Sequence, residues 1–141
     1  MPFINIRTAP ADISQAQARQ LIDGTTRLMR DIMKKKPERT TVHIQPEDGA
    51  LWAVGGKTMD DINGRAVLME IKITVGTNTT ADKEEMIWAS QRMLKDVLNV
   101  TPNAAYVVID EIPGESWGKE GVMMAEKAAT DRAEARQSRA P

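Results

Sequence analysis

Trp52-Ala53-Val54-Gly55-Gly56 returns 65 residues later as Trp117-Gly118-Lys119-Glu120-Gly121, and that offset organises the whole chain. At the same shift Pro37 meets Pro102 and Gly49 meets Gly114. The apolar positions between them superpose as well: Leu21 and Ile22 on Met86 and Ile87, Leu28 and Met29 on Met93 and Leu94, Ile32 and Met33 on Val97 and Leu98. No gap is needed. The chain has three tryptophans, so a matched pair among matched glycines and prolines marks an internal repeat.

Each copy reads as strand, helix, strand. In the first, Phe3-Ile4-Asn5-Ile6-Arg7 alternates apolar and polar residues, as a half-buried strand does. Pro10 and Asp12 end it. Ser14 followed three residues on by Gln17 is a capping-box helix start. Leu21, Ile22, Thr25, Leu28, Met29, Ile32 and Met33 then form one apolar stripe at helical spacing. Gly24 costs that helix about 1 kcal/mol against alanine, which points to a close packing contact. Thr41-Val42-His43-Ile44-Gln45 is the second strand. The second copy predicts a strand over residues 68–75, a helix from Thr79 or Thr80, a strand over 105–110, and a turn at Pro113-Gly114. The division expected is a first unit over 2–56, a polar connector over 57–66, a second unit over 67–122, and a short helix fraying into a disordered tail over 123–141.

A strand–helix–strand unit with so long a helix implies a right-handed crossover between parallel strands. Two units side by side predict an α/β (α+β) fold with a four-stranded sheet and both helices on one face. If the other face is apolar, self-association is the means of covering it.

Composition narrows the function. At 141 residues, 41% hydrophobic and without cysteine, the chain fits one soluble, cytoplasmic globular body with no thiolate chemistry. There is no apolar run of the roughly 18 residues a membrane span needs, and no secretory leader pattern. The 19 basic and 20 acidic residues offer no footprint for nucleic acid. Lys34-Lys35-Lys36 follows a helix and complements the negative end of its dipole. Phosphate-binding loops, dinucleotide fingerprints and the common hydrolase motifs are missing. The single histidine, His43, rules out sites built on several imidazoles and reads as a structural or interface residue.

Pro2 is the candidate catalytic residue. Trimming of Met1 leaves its nitrogen as a secondary amine. Burial or a neighbouring cation lowers an amine below the ordinary α-amino range of about 7.7–8.0, towards the pKa a general base needs at neutral pH. The structural alternative is a proline that merely begins an edge strand.

Pro2 opening a strand at once, the strand–helix–strand unit, and the close at Trp52-Ala53-Val54-Gly55-Gly56-Lys57 resemble a 4-oxalocrotonate tautomerase monomer. The second copy, ending at Trp117-Gly118-Lys119-Glu120-Gly121 with Val67 in place of Pro2, resembles a diverged version. Over about residues 2–122 the chain is similar to the double-length tautomerase superfamily, which includes fused tautomerases and cis-3-chloroacrylic acid dehalogenase. The resemblance implies a trimer of double units, each with a tautomerase (MIF-like) fold and the amino-terminal proline at an inter-subunit pocket. It implies Pro2 as base, Tyr106 in the place of a substrate-binding arginine, and Trp117 as the aromatic wall. Tyr106 and Trp117 also fit plain interface packing.

The departures are specific. Ala9-Pro10-Ala11-Asp12 stands where the family has a carboxylate-clamping arginine, and Thr74 and Thr77 stand where the dehalogenase pattern has arginine. Lys119 takes the place of an acidic, water-activating residue. These count against haloacrylate hydrolysis, and leave Arg7, Arg39 and Lys72 as candidate substrate cations. The expected activity is keto–enol tautomerisation of a small 2-oxo acid, with no metal or organic cofactor and one working site per chain. Alternatives are a hydratase, dehalogenase or decarboxylase using the same proline on a three-carbon acid, and a non-catalytic oligomeric binding scaffold.

Overall fold

The computed structural model describes residues 1–139. Strand β1 (Phe3–Ala9) leads into helix α1 (Gln15–Asp31), then through a 3-10 turn at Pro37–Arg39 into β2 (Thr41–Pro46). A second 3-10 turn, Gly49–Leu51, precedes the small ribbon β3 (Ala53–Val54) and β4 (Lys57–Thr58), and the one-turn helix α2 (Met59–Ile62). The pattern then repeats as β5 (Ala66–Thr74), α3 (Thr80–Leu98) and β6 (Ala105–Ile112). The ribbon β7 (Gly118–Lys119) and β8 (Val122–Met123) follows, and α4 (Met124–Arg139) ends the described chain.

Both long helices start where the sequence places them, and by the same device. The Ser14 hydroxyl accepts from the Gln17 N–H, and the Gln17 side chain accepts from the Ser14 N–H, both at 3.0 Å. Thr79 and Asp82 exchange the equivalent pair at 3.1 Å. These reciprocal bonds satisfy N–H groups that the first helical turn leaves unpaired. Helix α1 closes at Asp31, short of the Ile32 and Met33 expected in its stripe, although Met33 remains buried. The basic run lies beyond it and divides its work. The Lys34 ammonium donates to the Asp31 carbonyl, while Lys35 donates to Thr77 Oγ1 at 3.0 Å.

The main sheet runs β2-β1-β5-β6. β1 lies parallel to β2 and β5 parallel to β6, as crossover connections require, and the central pair β1–β5 is antiparallel. Asn5 pairs with Glu70, its own repeat partner, so a pseudo-twofold axis passes between them and exchanges the two units. One sheet face sends Ile4, Ile6, Val67, Met69, Ile71 and Ile73 into the core, against Leu21, Met29, Met86 and Leu94 from the helices. Gly24 does mark a close contact: a Cβ there would stand 2.7 Å from Met93 Sδ.

The opposite face is more polar than an apolar docking surface. Asn5 bonds His43 Nδ1 at 2.8 Å and Gln45 Oε1 at 3.2 Å, Arg7 faces Glu70 at 3.7 Å, and Lys72 faces Asp110 at 3.3 Å. Phe3, Tyr106 and Val108 add exposed apolar area. The tail departs from expectation: α4 extends over sixteen residues, with Met124 buried at its start. The disordered end expected for the tail falls partly on Ala140 and Pro141, which lie outside the described residues. No described helix is long and apolar enough to cross a membrane.

Candidate active site

Pro2 is buried at the entry to β1, and its carbonyl accepts the Thr41 N–H at 3.2 Å, which ties it to the start of β2. A cavity of about 220 Å³ opens beside it, lined by Phe3, Arg39, Thr41, Lys72, Trp117 and Lys119 together with Met1 and the first residues of the ribbon and α4. The chain therefore gathers Pro2, Arg39, Lys72 and Trp117 in one place. Trp117 is held by its indole N–H, which donates to Thr74 Oγ1 at 3.2 Å, and by its carbonyl, which accepts the Met124 N–H at 3.0 Å. The ribbon next to it is tight. A Cβ on Gly118 would stand 2.6 Å from the Val122 carbonyl oxygen.

The cations of this cavity are in different states. Lys72 is bonded to Asp110 on the neighbouring strand, and Arg39 pairs with Asp131 of α4. Lys119 has no ion pair among the described residues. The terminal amine, here on Met1, is held below its ordinary value. Burial is the largest cause, followed by Lys35 and Arg39, with a smaller push from Lys119; Asp131 pulls the other way. Each cation disfavours adding another positive charge nearby.

Two candidates lie elsewhere. Tyr106 is exposed and pairs with Leu68, which faces Arg7, whereas Phe3 faces Lys72 and Asp110. Tyr106 is thus four strand positions, about 13 Å, from the level of the Pro2 pocket. Arg7 lines a separate hollow of about 430 Å³ with Trp52, Ala53 and Leu68. These are the repeat partners of Lys72, Trp117, Gly118 and Phe3, so the second hollow is the pseudo-twofold image of the first. The repeat partner of Pro2 is Val67, buried near the start of β5, whose N–H is an amide donating to the Ala104 carbonyl at 2.9 Å. No amine is available there. A further hollow, about 660 Å³, lies in the groove between α1 and α3, away from both.

Sequence reasoning named Lys119 only as a departure from the family pattern and did not single out Thr41, Met124 or Asp131. Thr41 had a usable signal, since it is the repeat partner of Tyr106. Asp131 had none, because it lies outside both copies.

The tautomerase family, described as tautomerase enzymes, matches residues 2–62 and again 68–127, one match on each repeat. A probable tautomerase, K2, from Dickeya dadantii (strain 3937) is 36% identical over 61 residues, which are 43% of this chain and 91% of that protein. One chain of a structure described as the F6 fused 4-OT wild-type asymmetric trimer superposes with a TM-score of 0.78 at 18% identity, covering 89% of this chain and 98% of that chain. A member of the cis-3-chloroacrylic acid dehalogenase family, N1, superposes with a TM-score of 0.76 at 21% identity, covering 99% and 92%. The fold matches throughout, and the doubled family match accounts for the repeat: the chain belongs to the tautomerase family of enzymes.

Proposed function

We propose that Pro2, freed by removal of Met1, is the general base of a tautomerase acting on a small 2-oxo acid or its enol. The observation that carries the reading is the burial of Pro2 in a cavity where the chain's terminal amine is held below its ordinary value by desolvation and by cations. Moving the amine one residue inward keeps it among the same groups. As a neutral base it removes a proton from carbon or from an enol hydroxyl. The electron pair delocalises onto the carbonyl oxygen, and the prolinium returns its proton at the alternative position. Lys119 and Arg39 are the cations that steady the carboxylate and the developing oxyanion, the electrostatic part of such catalysis. Lys72 contributes from the sheet, and Trp117 keeps the nitrogen poorly hydrated.

The assembly belongs to the same proposal. Solved relatives of this fold include fused 4-OT trimers. A trimer is the arrangement in which an exposed Tyr106, too distant within its own chain, reaches the Pro2 pocket of another copy as an oxyanion donor. Arg7 is then a residue of the second, amine-less hollow or of the contact between copies.

Intact-mass spectrometry before and after 3-bromopropiolate, an acetylenic carboxylate reactive towards neutral amines, tests the base directly. The expected result is loss of Met1 and one adduct mapped to Pro2. A retained Met1, or a trimmed chain without adduct, defeats the reading.

The electrostatics also fix a pH response. Activity is expected to rise with pH as the Pro2 amine loses its proton, and the burial and cations that lower the Met1 amine are expected to bring the midpoint down in the same direction. Lys119→Gln removes one of the cations that lower that value and one that steadies the substrate's charge, so the rising limb of kcat/KM moves to higher pH and the plateau falls. A limb that moves to lower pH contradicts the assignment.

A further inference from the structure

We propose that Asp131 is a built-in competitor for the substrate carboxylate: it occupies the Arg39 guanidinium beside the Pro2 pocket, and an anionic substrate displaces it on binding. The proposal rests on the reading of that pocket as the active site. Helix α4 is placed for this role. It begins at the cavity, where the Met124 N–H donates to the Trp117 carbonyl and the Ala125 N–H to the Gly114 carbonyl, at 3.0 and 3.1 Å. Seven residues, two helical turns, separate Met124 from Asp131, so both lie on the same side of the helix. Met124 lines the cavity and Asp131 meets Arg39, itself a lining residue.

The chemistry of the pair is that of the expected ligand. A guanidinium engages any carboxylate through the same planar fork, whether the acid arrives on a substrate or on a helix. About a third of each side chain is open to solvent, 30% for Arg39 and 39% for Asp131, so the pair is weak enough to exchange. Further acidic side chains, Glu38 and Glu134, lie near enough to act on the same guanidinium. The arrangement has no image in the second hollow. The repeat partner of Arg39 is Ala104, and Asp131 belongs to a segment after both copies. Time spent in the closed pair lowers the apparent affinity for an anionic ligand by the fraction of Arg39 left free.

The test follows Pro2 labelling by intact mass over a range of 3-bromopropiolate concentrations, giving a half-saturation concentration and a limiting rate. It uses the full chain and its Asp131→Asn, Arg39→Gln and doubly substituted forms, at a pH where the amine is neutral. Asp131→Asn is expected to lower half-saturation about two- to five-fold, the span of a partly exposed ion pair, with the limiting rate unchanged. Arg39→Gln raises half-saturation, and the double variant matches it. The methyl ester of the reagent, lacking the charge, labels wild type and Asp131→Asn alike. Half-saturation that is unchanged or raised in Asp131→Asn overturns the proposal. So does a shift in the same direction for both single variants, the mark of a pair that only fastens α4. A wild-type chain that takes no label at Pro2 overturns the active-site reading and this proposal together.

Discussion

Extending the chain by one uncleavable residue ahead of Pro2 is expected to lower kcat/KM by about 10²–10⁴, the usual contribution of a positioned general base. The extension turns the nitrogen into a tertiary amide whose lone pair is delocalised into the carbonyl. Nothing else in the cavity can take over. Its other charged side chains are Arg39, Lys72 and Lys119, none of them a carboxylate or an imidazole, and the repeat-related hollow with its carboxylates Glu47 and Asp48 is a separate cavity. Pro2→Ala is the gentler variant, because it leaves a primary amine in the same pocket. Its loss should be partial and its pH limb displaced. The comparison uses steady-state assays on enol substrates, with thermal melts showing that each variant is folded. Full activity in the extended chain defeats the Pro2 mechanism, whatever the family membership.

The second large effect concerns stability. Ile71→Ala is expected to cost about 2–5 kcal/mol, as deletions of large buried aliphatic side chains do. Ile71 is fully buried on the inner face of β5, opposite Ile4 on one side and Ile109 on the other, beneath both helices. Lys72, the next residue, points to the opposite face and is partly exposed, and its pairing with Asp110 is worth little to stability. Lys72→Met therefore makes a control on the same strand, expected to change stability by less than about 1 kcal/mol. Denaturant unfolding at one fixed protein concentration checks both, since any association of copies adds to the apparent value. Equal losses for the two variants contradict the face assignment.

The fold was legible because each of its elements repeats a local signal twice. Alternation in Phe3-Ile4-Asn5-Ile6-Arg7, the Ser14 and Thr79 caps, and stripes of apolar residues at helical spacing all survive translation into structure. Strand register carries no such signal. Whether Tyr106 stands beside Phe3 or beside Arg7 depends on how β1, β5 and β6 slide past one another, and the observed pairing puts it at the Arg7 end. For the same reason Arg39 and Lys72 could be named as cations without being ranked. Their partners, Asp131 and Asp110, lie 92 and 38 residues away. Helix α4 is rich in alanine and charge with no apolar stripe, so nothing in it announced where it would dock.

Five methionines have almost no exposure, Met29, Met33, Met69 and Met86 in the core described above and Met59 in a smaller cluster with Ala66 and Ala104, while Met123 on the outer ribbon is open to solvent. Thioethers are the side chains a mild peroxide attacks, and the product is polar and cannot be repacked in an apolar interior. In the folded protein the five are shielded from the oxidant and Met123 is not. The chain thus holds an internal record of its own breathing: sulfoxide at Met123 reports contact with oxidant, and sulfoxide at Met69 reports that the sheet and helices have parted.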